Sequence, residues 1–136
     1  MLKRAIPLLH VSASKPAEAF YRERLGFALR VANRGEAADP CFMSLSRDGI
    51  ELHLSSFAGD GVAGGAVTFI VDDVDALHRE LAERGAPIAL APVDQTWGSR
   101  EMYVQDPDGN SIRFQAWGSG GARVSLPAGG KVSGEA

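Results

Sequence analysis

An internal repeat restricts the fold of this chain more than any other feature. The run SRDGIELHL at 46–54 resembles DPDGNSIRFQ at 106–115 in its turn, its spacing and its alternation of apolar and polar residues. Helices that alternate with strands can indicate a parallel βαβ sheet. Here each half has one helix and then three strands joined by tight turns, which favours mainly antiparallel pairing. The sequence therefore predicts an α+β fold of two βαβββ halves, at about 4–56 and 66–117.

Capping residues place one helix in each half. Ser14 is the expected N-cap of the first helix, and Gly26 can adopt the left-handed conformation that ends it. Asp73 and Gly85 have the same two roles in the second half. Strands are predicted at 4–11, 27–31, 42–45 and 50–55 in the first half, and at 66–71, 88–90, 100–104 and 111–115 in the second.

Two segments lack this periodicity. Residues 57–65 are small and glycine-rich, which is typical of a linker. Residues 118–136 are rich in glycine and serine, so we expect a flexible tail, with an arm that crosses to a partner subunit as the alternative. Residues 1–117 are then predicted to form a single domain.

Composition and charge exclude several classes of protein. The chain has 136 residues with 14 basic and 17 acidic side chains, a formal net charge of -3, and no basic stripe of the kind that nucleic-acid binders carry. No stretch approaches the roughly 18 apolar residues of a membrane helix. The single cysteine, Cys41, lies in an apolar strand-like run and is interpreted as a buried hydrophobic residue. We therefore predict a cytoplasmic protein that binds neither nucleic acid nor membrane.

Two motifs resemble a known superfamily. With the repeat, the runs FYRERLGF at 20–27 and WGSREMYVQDPDGNSIRF at 97–114 are similar to the glyoxalase/bleomycin-resistance/dioxygenase (vicinal oxygen chelate) superfamily, and most similar to its bleomycin-resistance branch. The resemblance implies that each half curls its sheet into half a cup. It also implies that the cup is often completed across a dimer interface, so a homodimer is expected.

The metal-dependent members of that superfamily use four inward positions for His, Gln or Glu ligands. By the resemblance, these positions are Ile6, Glu51, Ala66 and Arg113 in this chain. Ile and Ala have no lone pair for a metal, and Arg carries a permanent positive charge. We therefore predict no metal, no other cofactor and no catalytic residue. The repeat also pairs Glu51 with Arg113, and an ion pair between them is one hypothesis, against two ordinary solvated side chains.

Strand alternation and the family register together predict which side chains line the concave face. Phe42 and Trp97 fall where bleomycin-resistance proteins carry rings that stack on planar drugs, while core packing is the alternative for Phe42. Arg100 and Glu101 are interpreted as tying a loop to its strand. The predicted ligand-binding residues are Phe42, Glu51, His53, Trp97, Tyr103 and Arg113.

The leading functional hypothesis is a metal-independent protein that sequesters a planar cationic antibiotic of the bleomycin type. One alternative is a metal-dependent enzyme of the glyoxalase or dioxygenase kind. The other is a homodimeric metabolite-binding module with no role in resistance. Arg113 conflicts with a cationic ligand unless a carboxylate such as Glu51 neutralises it.

Overall fold

The computed structural model describes residues 1–118, so the predicted tail lies outside the described residues apart from Gly118. The first half contains β1 (Leu8–His10), α1 (Ser14–Ala19) with a π-helical turn over Phe20–Arg24, β2 (Ala28–Arg34), β3 (Cys41–Arg47) and β4 (Ile50–Ser55). The second half contains β5 (Ala66–Ile70), α2 (Val74–Glu83), β6 (Ile88–Asp94), β7 (Ser99–Gln105) and β8 (Ser111–Trp117).

Each half forms its own four-stranded sheet. The strand order is β1-β4-β3-β2 in the first sheet and β5-β8-β7-β6 in the second. Among the described strands, the pairs β1–β4 and β5–β8 are parallel, and all other neighbouring strands are antiparallel. The predicted α+β fold of two βαβββ repeats with mixed, mainly antiparallel sheets is confirmed.

The helix N-termini differ from each other in how they are capped. Asp73 accepts a 3.0 Å hydrogen bond from the backbone N–H of Ala76, as predicted for α2. The predicted Ser14 cap of α1 is wrong, because Ala13 occupies the cap position. The carboxylate of Asp39, distant in sequence, accepts from the N–H of Ser14 at 2.9 Å instead. The N-terminus of α1 is therefore capped by a side chain from a distant part of the chain. A local capping pattern in the sequence cannot predict such a contact.

Each sheet packs a helix against one face. Leu52 and Leu54 on β4, and Ile112 and Phe114 on β8, are buried on that side. Ile50 alternates with polar residues in the same way as Leu52 and Leu54, but it is 53% exposed because it begins β4 directly after the hairpin turn. The opposite face of each sheet, which we call its open face, carries the alternate side chains.

The two halves meet at the ends of their helices. Arg24 donates a hydrogen bond to the carbonyl of Arg84, and Arg84 donates one to the carbonyl of Glu23. The rings of Phe27 and Phe69 lie 5.8 Å apart between the halves. Because each helix packs against the other face of its sheet, the open faces are free of the helices and the candidate site can be sought there.

No helix of the described residues is long and apolar enough to span a membrane.

Candidate functional site

A buried carboxylate organises the open face of the second sheet. Glu101 on β7 is 4% exposed. Its Oε2 accepts hydrogen bonds from Ser99 Oγ at 2.6 Å, Gln115 Nε2 at 2.6 Å and Trp97 Nε1 at 2.9 Å. Its Oε1 accepts from the hydroxyl of Tyr103 at 2.8 Å. Four neutral donors thus surround one negative charge, and two of them belong to aromatic side chains.

These hydrogen bonds keep Glu101 ionised. Burial pushes the pKa of its carboxyl upward, since a charge is poorly solvated inside a protein. The donors Ser99, Gln115, Tyr103 and Trp97 together outweigh burial, so the pKa lies below its ordinary value. Burial and the bond to Glu101 raise the pKa of the Tyr103 hydroxyl, which stays protonated at neutral pH. The face therefore keeps a negative centre with its aromatic donors in fixed orientation.

The aromatic residues on this face come from two places in the second half. Trp97 lies in the turn between β6 and β7, which is closed by a hydrogen bond from the N–H of Gly98 to the carbonyl of Gln95. Trp117 lies at the end of β8, and its Nε1 donates to Gln115 Oε1 at 2.9 Å. Because Gln115 also bonds to Glu101, both indoles are connected to the same carboxylate. The turn and the strand end thereby form one hydrogen-bonded unit.

Arg113 lies beside this unit on β8. Its guanidinium carbon is 4.7 Å from the centroid of the Tyr103 ring, a cation–π distance. Its Nε donates to Ser111 Oγ at 3.2 Å. Strand pairing places Arg113 between Tyr103 on β7 and Thr68 on the edge strand β5. A partly buried positive group thus borders the Glu101 cluster without bonding to it.

The open face of the first sheet carries a smaller polar group. Glu51 Oε2 lies 3.0 Å from His53 Nε2 and accepts from Ser44 Oγ at 3.2 Å, while Oε1 lies 3.3 Å from Arg4 Nη2. The bond to His53 is the main cause that lowers the pKa of the Glu51 carboxyl, with smaller effects of Ser44 and Arg4. The rings of Phe42 and His53 meet edge to face with centroids 4.8 Å apart.

The hypothesis of an ion pair between Glu51 and Arg113 is wrong for the described residues. Glu51 bonds to residues of its own half, and the described residues contain no ion pair between it and Arg113. The strand register gives the reason. His53 lies opposite Leu8 and Ser44, while Arg113 lies opposite Thr68 and Tyr103 in the corresponding strands. Arg113 is therefore the counterpart of His53, two positions from the counterpart of Glu51.

The six predicted ligand-binding residues fall into two separate sets. Within the described residues, no hydrogen bond, ion pair or ring contact connects one set with the other. A groove of about 540 Å³ lies instead on the helix side of the second sheet, against Phe69, Leu77 and Phe114, and contains none of the six. The first set is Phe42, Glu51 and His53, and the second is Trp97, Tyr103 and Arg113.

The positions that hold a metal in the metal-dependent relatives do not fit one here. Ile6 and Ala66 offer no donor atom, Arg113 is a cation, and Glu51 is engaged by its neighbours. Correcting the register adds His53 to Glu51, so the four corresponding positions still supply too few ligands for a metal site. Among residues 1–118, no group of three or more His, Cys, Asp or Glu side chains is arranged to hold a metal ion.

Glu101 is the site residue that the sequence analysis missed. It was interpreted as a structural tie together with Arg100. Glu101 does tie the turn to β7, since it accepts from Trp97 Nε1, whereas Arg100 bonds to Asp75 on α2 and to Asp94 on β6. Glu101 points the other way, because neighbouring residues of a strand face opposite sides. The signal was available, as Glu101 is two positions from Tyr103, which had already been assigned to the concave face.

Comparison with known proteins agrees with this architecture. A family model described as glyoxalase superfamily protein matches residues 1–121. The chain belongs to the glyoxalase superfamily. Bleomycin resistance proteins of Geobacillus stearothermophilus and Staphylococcus aureus are 28% identical to it over 130 aligned positions, which cover 82% of this chain and 94% of each relative. The predicted superfamily membership is thus confirmed.

Solved structures show the same fold. The bleomycin resistance determinant encoded on transposon Tn5 superposes with a TM-score of 0.69 at 26% identity, covering 84% of this chain and 97% of that one. An antibiotic-binding protein from Streptomyces sp. CB03234 superposes with a TM-score of 0.66 at 28% identity, covering 87% and 99%. Both neighbours share the fold of this superfamily with the chain.

Proposed function

We propose that this protein sequesters a planar antibiotic, of which a bleomycin-type molecule is the first candidate, and protects by withholding it. The observation that carries the proposal is the open face of the second sheet, where Trp97, Tyr103 and Trp117 are connected through hydrogen bonds to the buried Glu101. Aromatic walls with a few oriented polar groups are the usual composition of a small-molecule site. Resistance and antibiotic-binding relatives support this choice.

Binding without chemistry agrees with the donor groups present. The metal-dependent alternative requires ligands that Ile6, Ala66 and Arg113 cannot supply. In our proposal the protein provides no metal of its own, and the ligand is held by ring stacking and hydrogen bonds.

A homodimer is part of the proposal, because each open face by itself carries half of the predicted site. A second copy could bring the first set, Phe42, Glu51 and His53, opposite the second set, Trp97, Tyr103 and Arg113. Rings from both sets would then enclose a planar group. Sedimentation should give a species of twice the 14.4 kDa chain mass, and a strict monomer at micromolar concentration would contradict this part of the proposal.

One observation favours the alternative of a metabolite-binding module without a resistance role. Arg113 has no carboxylate partner among residues 1–118, so its positive charge opposes a cationic drug. Expression in a bleomycin-sensitive host separates the two functions, because the metabolite-binding module gives no protection there. We place the protein in the cytoplasm in either case.

The direct test is a titration with metal-free and copper-loaded bleomycin, followed by calorimetry and tryptophan fluorescence. We expect micromolar or tighter binding, about -8 kcal/mol or better. Fluorescence quenching should be smaller in Trp97→Ala, in which Trp117 is the tryptophan that remains on this face. Phe57→Ala is the control, since it removes an exposed ring from the loop after β4. The absence of heat with both forms would eliminate bleomycin as the ligand and leave the superfamily assignment intact.

A further inference from the structure

We propose that Arg113 binds an oxyanion, a carboxylate or a phosphate, attached to the planar ring of the ligand. This inference rests on the proposed function only in that it uses the same small-molecule site on the open face of the second sheet, and it departs from the choice of bleomycin as the first candidate. It adds the charge of the bound molecule, which the fold and the relatives leave open. It also reverses the expectation from the sequence that the ligand is a cation.

The first argument is the free hydrogen-bonding capacity of Arg113. Its side chain carries five N–H donors, and Nε bonds to Ser111 Oγ at 3.2 Å. Its terminal nitrogens have no hydrogen-bond or ion-pair partner among residues 1–118. The residue is neither buried nor fully exposed, so water solvates it incompletely. A partly desolvated cation with free N–H donors is stabilised when an anion accepts hydrogen bonds from those donors.

The second argument is that the neighbouring carboxylate is already engaged. Both oxygens of Glu101 accept hydrogen bonds, three at Oε2 and one at Oε1. Tyr103 stands between the two groups, with its hydroxyl bonded to Glu101 and its ring against Arg113. Glu51, which the sequence analysis considered as an ion-pair partner of Arg113, bonds to residues of the first half instead. Neither carboxylate therefore neutralises Arg113.

The third argument is orientation. The guanidinium carbon lies over the Tyr103 ring, and a guanidinium in a cation–π contact can still offer an edge with two N–H groups for parallel hydrogen bonds. Carboxylate and phosphate oxygens match that edge geometrically. On the other side of Arg113, strand pairing places Thr68 of the edge strand β5, an exposed residue with a hydroxyl donor. An oxyanion can therefore reach this point from the open edge of the sheet.

The indoles give the rest of the ligand its character. Trp97 and Trp117 lie on the same face and are linked through Gln115 and Glu101. A flat ring that contacts them can extend its acidic substituent towards Arg113. The class of ligand is thus an aromatic or heteroaromatic oxyanion, in which the ring supplies area and the acid supplies specificity.

The test uses a matched set of probes on the full chain. The four probes share the naphthalene ring system and differ in the charge of their substituent. They are naphthalene-2-carboxylate, 2-naphthyl phosphate, naphthalene-2-carboxamide and 2-naphthylmethylammonium. Calorimetry or tryptophan quenching should show at least about 10-fold tighter binding of one oxyanion than of the amide. This factor corresponds to about 1.4 kcal/mol, within the usual range for a hydrogen bond to a charged group. The stronger of the two acids identifies the carboxylate or the phosphate as the preferred group.

Three variants locate the effect. Arg113→Gln should abolish the preference for the oxyanion over the amide. Arg113→Lys should keep part of the preference for the oxyanion, because lysine retains the positive charge but lacks the planar guanidinium that forms two parallel hydrogen bonds. Arg79→Gln removes an exposed arginine from α2, on the helix side of the second sheet, and should preserve the preference in full. Circular dichroism and thermal unfolding verify that each variant is folded.

Several outcomes would overturn the inference. An oxyanion that binds no tighter than the amide, a preference that survives Arg113→Gln, or no binding of any of the four probes would each do so. Tightest binding of the ammonium would also overturn it, while supporting the sequestration of a cationic drug. Failure of this inference is therefore separable from failure of the proposed function, which bleomycin binding and host protection test independently.

Discussion

The hydroxyl of Tyr21 donates a 2.8 Å hydrogen bond to Oδ2 of Asp106, which joins two buried residues of different halves. Burial is the main cause that raises the pKa of Tyr21, and the negative charge of Asp106 adds to it. Asp106 also accepts from the backbone of Asp108 and from both nitrogens of Asn110. The bond connects the helix motif of the first half to the last turn of the second.

We expect Tyr21→Phe to destabilise the protein by about 1–3 kcal/mol, because it removes one donor from a buried carboxylate. Urea unfolding measures the loss. In the Asp106→Asn background the same substitution should cost less, since the charge that requires the donor has gone. Equal costs in both backgrounds would mean that the bond between Tyr21 and Asp106 contributes nothing measurable.

Glu101→Gln should destabilise the protein by about 1–3 kcal/mol. The substitution replaces a charged acceptor by a neutral amide, and the NH₂ group of that amide faces side chains that are themselves hydrogen-bond donors. The Trp97 indole loses its partner, so tryptophan emission should shift to the red. Glu83→Gln, an exposed substitution on α2, is the matched control and should change neither quantity. Unchanged emission in Glu101→Gln would contradict the positioning of Trp97 by this carboxylate.

The comparison of wild type with Glu101→Gln also predicts how the free energy of unfolding depends on pH. The pKa of Glu101 in the folded protein lies below the ordinary value of 4.5. A depressed pKa stabilises the folded state above that ordinary value, and the contribution is lost as pH falls through the folded pKa. The difference in unfolding free energy between wild type and Glu101→Gln should therefore be constant down to about pH 4.5 and should narrow below it. A difference that stays constant at lower pH would exclude a depressed pKa for Glu101.

Gly26→Ala should cost about 1–2 kcal/mol, because Gly26 has φ +74° at the end of the first helix and a side chain is strained there. The added methyl group would also lie 2.8 Å from Arg47 Nη1, which bonds to the carbonyl of Leu25. Gly35→Ala is the control, since no atom lies within 4 Å of a methyl group there. Thermal unfolding compares the two, and equal melting temperatures would refute the strain.

Much of the candidate site was predictable because strand alternation assigns faces. Leu52 and Leu54 alternate with Glu51 and His53, and the structure places the two pairs on opposite sides of the sheet. The same rule, applied from Tyr103, would have placed Glu101 on the open face. Alternation cannot measure a distance between strands of different sheets, so it could not decide between the hypothesised Glu51–Arg113 ion pair, which was wrong, and two separate side chains.

Sequence patterns were enough to predict the two βαβββ halves, the superfamily and the side of each sheet on which a residue lies. These follow from patterns over a few residues, where backbone geometry sets a period of two or 3.6. The three-dimensional packing was needed to show that Asp39 caps the first helix, that four donors surround Glu101 and that Arg113 lies against Tyr103. Such contacts depend on how distant segments pack, and local spacing carries no information about that packing.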